Sequence, residues 1–268
     1  MKTLYVSDLD GTLLRSDEST SDFTNKTIHE LTEKGMIFSY ATARSLVTAR
    51  KVTEGLDAKI PLIVYNGAFI IDNVSGEMML SNYFDESFEN VLDTLLKWGV
   101  YPIVYSYMDG IEKFSVVLKK CTRGMAQFLE SREGDPRMNP VEAVEQLAEG
   151  SCFYITCIDE PEKLEPLYYK LKDTYHVVYQ RDIYSGEQWL EIMPKEASKA
   201  NAVLQLKKLL QCDRLVVFGD GMNDVDMFEA ADEAYAVENA VSELKELATG
   251  VIEGNNEDGV AKWLLGHF

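Results

Sequence analysis

The chain has 268 residues, with 26 Lys plus Arg against 45 Asp plus Glu, a formal net charge of −19. That balance excludes a nucleic-acid footprint, which needs clustered cations to neutralise phosphates, and equally excludes docking on an anionic membrane surface. Hydrophobic residues make up 46% of the composition, enough apolar surface to offset chain entropy and exclude a disordered chain. No apolar run approaches the roughly 18 residues of a membrane span. The N-terminus turns charged at Asp8, too early for a signal peptide. Cys121, Cys152, Cys157 and Cys212 show no CxxC spacing, which points to reduced thiols and a cytoplasmic location.

In chain order, residues 3–8 read as an apolar strand that ends in Asp8-Leu9-Asp10-Gly11-Thr12. Residues 24–34 read as a helix stopped by Gly35, 36–40 as a second strand, 45–54 as a helix capped by Ser45, and 60–65 as a third strand. This alternation predicts an α/β fold, a Rossmann-like parallel sheet covered by helices. Residues 68–72 and 78–81 flank Asn73-Val74-Ser75-Gly76 as a hairpin. The rhythm then changes. Helices are expected at 86–98, 121–130, 141–149 and 161–174, and strands at 103–108, 113–118, 153–158, 176–180 and 189–193. Tyr101, Tyr105 and Tyr107 share one strand face by alternation. From Ser198 the first rhythm returns: helices at 198–210, 223–231, 242–248 and 260–265, with strands at 214–218 and 235–237. The economical division is a core of 1–83 plus 194–268, interrupted by an inserted α+β module at 84–193.

Ligands of open parallel sheets bind at the carboxyl ends of strands. Three polar clusters stand at such ends: Asp8 with Asp10, Thr42 with Arg44, and Gly219-Asp220-Gly221-Met222-Asn223-Asp224. A carboxylate closing a buried strand is costly unless something compensates it, and like charges brought together need a cation. An oxygen-only ligand set, with His29, His176 and His267 scattered elsewhere, suits Mg²⁺. Mg²⁺ beside a carboxylate and phosphate-binding donors points to phosphoryl transfer.

Asp8-Leu9-Asp10-Gly11-Thr12 resembles the first motif of the haloacid dehalogenase-like (HAD) superfamily, Thr42 the second, Lys199 the third and Gly219–Asp224 the fourth. The insert between the second and third motifs, the Asn66-Gly67 pair and the late Glu257-Asp258-Gly259-Val260 resemble the Cof-type phosphatases. Ala43 and Ala200 stand where glycines are usual. They leave the chemical groups in place and alter the backbone's approach to phosphate.

The resemblance implies roles. Asp8 would be the nucleophile, forming an aspartyl-phosphate, and Asp10 the general acid and base. Asp8, Asp220 and the backbone carbonyl of Asp10 would hold Mg²⁺. Asp224 would hold the metal's waters or orient Lys199. Thr42, Lys199 and Asn223 would bind phosphate, with a plain helix cap as the other reading of Asn223. Lys195, four residues earlier, competes with Lys199. Arg44 is either a supporting site residue or a surface charge. The implied partner is a small phosphorylated metabolite such as a sugar phosphate, nucleotide or cofactor phosphate. The insert would be a cap that selects it, and the chain would be a monomer or weak homo-oligomer. A phosphomutase and a receiver-like phospho-acceptor module are the alternatives. Because the exterior is acidic, the pocket is expected to be locally positive, through Mg²⁺, Lys199, helix N-termini and Arg44.

Overall fold

The computed structural model describes residues 1–56, 60–182 and 185–268. Its backbone divides into two compact units: Met1–Ser81 with Ala197–Phe268, and Asn82–Glu196.

The first unit is built on an eight-stranded sheet. Its strands are β1 (Thr3–Asp8), β2 (Ile37–Ala41), β3 (Pro61–Val64), β4 (Phe69–Asp72), β5 (Met78–Ser81), β12 (Arg214–Gly219), β13 (Glu233–Val237) and β14 (Gly250–Ile252), with β6–β11 belonging to the second unit. The order is β14-β13-β12-β1-β2-β3-β4-β5. Pairing is parallel from β14 to β3, and β4 and β5 close the edge as an antiparallel hairpin. The alternation of strands and helices dictates this. Leu4, Val6, Leu215, Val217, Leu62 and Ile63 are fully buried, as expected where helices cover both faces of a parallel sheet.

The chain leaves β1 towards β2 on one side and later returns through β12 on the other. The carboxyl ends of β1 and its two neighbours therefore line a topological switch point. The helices are α1 (Asp22–Glu33), α2 (Leu46–Val52), α6 (Lys199–Leu209), α7 (Val225–Ala230), α8 (Ser242–Leu247) and α9 (Gly259–His267). The hydroxyls of Ser21, Ser45 and Ser198 cap α1, α2 and α6 by accepting from Thr24, Thr48 and Asn201 N–H groups at 3.0, 3.2 and 3.1 Å.

Gly67 shows why the Asn66-Gly67 pair is there. It sits at φ 98°, and a Cβ would run into the backbone carbonyl of Ser198. The turn after β3 thus packs directly against the start of α6.

The second unit carries a six-stranded sheet of order β10-β11-β9-β6-β7-β8. Its elements are α3 (Ser87–Lys97), β6 (Ile103–Met108), β7 (Ile111–Val116), α4 (Arg123–Glu130), β8 (Met138–Pro140), β9 (Ser151–Ile158), α5 (Pro161–Leu171), β10 (His176–Arg181) and β11 (Gln188–Met193). Pairing is antiparallel except for β7 with β8. Phe88, Val91, Leu92 and Leu95 of α3 and Leu164, Leu167 and Leu171 of α5 share one core with Val104, Cys157, Leu190 and Ile192 of the sheet. Tyr101 precedes β6 rather than lying in it. Tyr105 is buried among Phe114, Phe153 and Tyr154.

One local expectation fails, and strand β14 was not expected. The helix expected over 141–149 is only a 3₁₀ segment, Val144–Ala148. The amide oxygen of Gln146 accepts from the N–H groups of Glu142 and Ala143 at 3.0 and 3.1 Å, and Leu147 is the only buried side chain of the segment. One apolar anchor does not support an amphipathic helix. The strand β14 has three residues, one of them Gly250. Its identity comes from parallel pairing with Tyr235–Val237 of β13, not from local propensity.

Candidate active site

Asp8 is the last residue of β1, and Lys199 is the first of α6. Their side chains meet: Lys199 Nζ donates to Asp8 Oδ1 at 2.5 Å and to Asp224 Oδ1 at 2.7 Å. Lys199 is 1% exposed, Asp8 4% and Asp224 0%, so this is a buried triad of one cation and two carboxylates. Of the two lysines at 195 and 199, Lys199 is the one that reaches Asp8. Lys195 is exposed and its Nζ donates to the carbonyl of Asp173 at 3.2 Å.

The Gly219–Asp224 segment turns tightly after β12. Asp224 Oδ2 accepts from the N–H groups of Asp220 and Gly221, both at 3.1 Å. The cap of this turn is therefore Asp224, not Asn223, and the segment starts as a 3₁₀ turn, Met222–Asp224, before α7. Asn223 is half-buried and its Oδ1 lies over Gly221, where a Cβ would stand 2.7 Å away. Asp220 points back to β1's end, where Thr12 Oγ1 donates to its Oδ1 at 3.1 Å. Gly11 makes this approach possible: it has φ 80°, and a Cβ there would collide with the Asp220 carboxylate. Asn239 Nδ2 donates to the Gly11 carbonyl at 2.7 Å and fixes the same turn. Neither Thr12 nor Asn239 was singled out from the sequence. Thr12 lies inside the first motif, but Asn239 carries no signal there.

Thr42 follows β2 and is fully buried. Its Oγ1 accepts from the Arg44 N–H at 3.0 Å, which leaves the hydroxyl proton for a ligand. Arg44 is not a surface charge. Its Nε donates to Asp10 Oδ2 at 2.9 Å and its Nη2 to Asp10 Oδ1 at 2.6 Å and Glu18 Oε2 at 2.8 Å. The Asp10 carboxylate is thus taken up by Arg44. The acidic groups that cluster are Asp8, Asp220 and Asp224, with one carboxylate oxygen from each within 4.8 Å of the others. Of the expected set Asp8, Asp10 and Asp220, Asp10 has only its main-chain carbonyl to offer a metal.

The electrostatics follow from this crowding. Burial, ahead of repulsion from Asp224, pushes the Asp220 carboxyl from 3.8 up to about 7, against the hydrogen bond from Thr12. Burial also holds the Asp8 carboxyl well above the usual range. Lys199 pulls it down, and Asp224, Asp220 and Asp10 push it up again. Burial opposes the charge on Lys199, but Asp224 and Asp8 together outweigh burial and raise it. The protein groups alone do not make a positive pocket. Asp8, Asp10, Glu18, Asp220 and Asp224 face two cations, Lys199 and Arg44, each already paired with two carboxylates. A hard divalent cation fits this all-oxygen, part-buried donor set, because it is the charge that would let Asp8 and Asp220 ionise together.

A family model of haloacid dehalogenase-like hydrolases matches residues 5–264. The 5-amino-6-(5-phospho-D-ribitylamino)uracil phosphatase YwtE of Bacillus subtilis is 28% identical over 98% of this chain and 97% of its own length. The stress response protein YhaX of Bacillus subtilis is also 28% identical, over 100% of this chain and 93% of its own. Among solved structures, TM0651 from Thermotoga maritima has a TM-score of 0.77 at 28% identity, covering 100% of this chain and 98% of that one. A haloacid dehalogenase-like hydrolase from Bacillus subtilis shares the fold at a TM-score of 0.80 and 23% identity, covering 100% of both chains. No described helix is long and apolar enough to cross a membrane. With the family match over nearly its whole length, the chain belongs to the haloacid dehalogenase-like hydrolases, in their Cof-type branch, and is a phosphatase.

Proposed function

We propose that the chain is a Mg²⁺-dependent phosphomonoester hydrolase that acts on a small phosphorylated metabolite through an aspartyl-phosphate at Asp8. The observation that carries this reading is the buried meeting of Asp8, Lys199 and Asp224 at the end of β1, with Asp220 alongside.

Each residue then has a task. Asp8 attacks phosphorus, and the bond to the leaving oxygen breaks. Asp10 gives that oxygen a proton and later takes one from the water that hydrolyses the intermediate. Thr42 donates its hydroxyl proton to a phosphoryl oxygen, and Lys199 balances charge on Asp8 and on the phosphoryl group. Asp224 positions Lys199 and the backbone of Asp220 and Gly221. Asp8, Asp220 and the carbonyl of Asp10 would hold Mg²⁺, which supplies Lewis-acid neutralisation of the phosphoryl oxygens. Asn223, half-buried beside the Asp220 turn, contributes a polar group near the phosphate. Residues 84–193, within the second unit, act as the cap that selects the leaving group.

The test is phosphate release from sugar phosphates, nucleotides, cofactor phosphates and the phosphorylated ribitylaminouracil in the name of the Bacillus subtilis relative, with and without Mg²⁺. Turnover of at least one, lost on chelation, is expected; no turnover on any would overturn the reading.

The raised carboxyls add a prediction on stability. Asp220, raised from 3.8 to about 7, binds its proton more readily folded than unfolded. Its contribution is therefore present below pH 3.8 and is lost as pH rises towards 7. Mg²⁺ competes with that proton. The rise in Tm on adding Mg²⁺ should grow as pH increases through this window and then level off. Thermal melts in buffers spanning pH 4 to pH 8, with and without Mg²⁺, measure it; a shift that is constant across this range would contradict the metal placement.

A further inference from the structure

The turn that follows the first motif carries an acidic residue in an unusual conformation. Glu18 has φ 60°, the left-handed region that a residue with a Cβ enters at a cost. The turn is tightly built. The Arg15 N–H donates to the Ser19 carbonyl at 2.9 Å, and the Glu18 N–H to the Arg15 carbonyl at 3.0 Å. Asp17 Oδ1 accepts from the Ser19 N–H at 3.2 Å and from its hydroxyl at 2.7 Å.

Its base is anchored to the segment before α9. Arg15 Nη2 pairs with Asp258 Oδ2 at 2.6 Å, the Ser16 N–H donates to Asn256 Oδ1 at 3.0 Å, and Asn255 Nδ2 donates to the Leu14 carbonyl at 2.9 Å. Asp258 also accepts from the Ser21 and Thr24 hydroxyls at 2.7 and 3.2 Å.

At the tip of this anchored turn, Glu18 Oε2 accepts from Arg44 Nη2 at 2.8 Å. The same Nη2 donates to Asp10 Oδ1 at 2.6 Å. The Arg44 main chain is pinned too, its N–H on Thr42 Oγ1 at 3.0 Å and its carbonyl on the Tyr65 N–H at 3.0 Å. Nε and Nη2 already hold the Asp10 carboxylate as a fork, and Glu18 on the same Nη2 ties that fork to the anchored turn, so the guanidinium cannot carry Asp10 away from its place. We infer that Glu18 is a positioning residue for phosphate-ester cleavage, acting through Arg44 to fix the orientation of the Asp10 carboxyl towards the leaving oxygen. This rests on the role proposed above for Asp10.

The test uses the leaving group. A sugar phosphate releases an alkoxide that needs a proton, whereas p-nitrophenyl phosphate releases a phenolate that leaves without one. A misplaced Asp10 therefore slows the first step only for the sugar phosphate. Glu18 is the right position to vary, because its side chain is 43% exposed and glycine suits its φ of 60°. Glu18→Ala and Glu18→Gly both remove the carboxylate, and the second also relieves the turn.

With a sugar phosphate that the wild type turns over, kcat should fall roughly 10- to 100-fold in both variants with KM unchanged. The pre-steady-state burst of p-nitrophenolate should stay within about twofold of wild type, since that step bypasses the general acid. An unchanged kcat on the sugar phosphate, or equal losses on both substrates, would overturn the inference. Asp10→Asn separates the two levels. If it keeps wild-type turnover of the sugar phosphate, the reading of Asp10 falls and the inference with it. If it is inactive while the Glu18 variants are not slowed, only the positioning role falls.

Discussion

Asp8→Asn is expected to abolish phosphate release while leaving the metal-free fold at least as stable as the wild type. The amide is close to isosteric with the carboxyl but cannot act as the nucleophile, so kcat should drop by at least about 10⁴-fold. Ordinary buried-site reasoning would predict a loss of stability as well, because a partner of Lys199 is neutralised. This site predicts otherwise. Lys199 keeps its bond to Asp224 at 2.7 Å and can still donate to the amide oxygen. Burial already holds the Asp8 carboxyl well above the usual range, with Asp224, Asp220 and Asp10 adding repulsion. Removing that charge relieves the cluster. Urea midpoints in chelator, compared with kcat on the best substrate of the panel, make the check. The stabilisation by Mg²⁺ should shrink in the variant, since an oxygen of the donor set has lost its charge. Turnover within about tenfold of wild type would place the nucleophile elsewhere.

The parts of the site that could be read from the sequence are those that local chemistry and topology fix together. Asp8, Thr42 and Asp220 each follow an apolar run, and β12, β1 and β2 are neighbours in one parallel sheet; their ends must therefore meet. Choosing Lys199 over Lys195 needed the start of α6, which the Ser198 hydroxyl caps. What stayed illegible depends on long-range approach or on rare backbone. The contact between Glu18 and Arg44 spans 26 positions and requires a left-handed residue at the tip of a turn. By sequence Arg44 reads as either a site residue or a surface charge, because only this contact and the one to Asp10 bring it inside. Asn223 looked like a cap by residue type, yet the carboxylate one position later takes the free N–H groups. The late Asp258-Gly259 pair resembled a family signature, and its physical work is structural. It ties the 15–19 turn down through Arg15, Ser21 and Thr24, at a point where Gly259 lies too close to the Glu253 carbonyl to carry a Cβ.

Lys199→Met should cost both activity and stability, and the size of the stability loss should depend on pH and metal. Methionine fills much of the same buried volume, so packing is largely kept. The charge is not. Asp8 and Asp224, 4% and 0% exposed, would face each other and Asp220 without their shared cation. Breaking a buried ion pair from one side costs about 3–5 kcal/mol, and two carboxylates lose their partner here. That cost falls when the carboxyls can take up protons. Burial already favours the protonated form of Asp8, and Lys199 is the group that lowers it; without it the shift is larger still. The destabilisation relative to wild type should therefore be small at low pH and grow as pH rises past the range where these carboxyls ionise. Mg²⁺ should restore part of it, by supplying the missing positive charge to the same oxygens. Activity should not follow. A bound metal would steady the fold, but under the proposed mechanism the charge that Lys199 would place on the transferring phosphoryl group is gone, a loss on the order of 10²–10³ in kcat. Urea unfolding at low and high pH with and without Mg²⁺, beside steady-state kinetics, separates the two effects. Equal destabilisation at both pH values would mean that Lys199 acts by packing rather than by charge. Full recovery of kcat with Mg²⁺ would mean that it serves only to hold the metal-free cluster together.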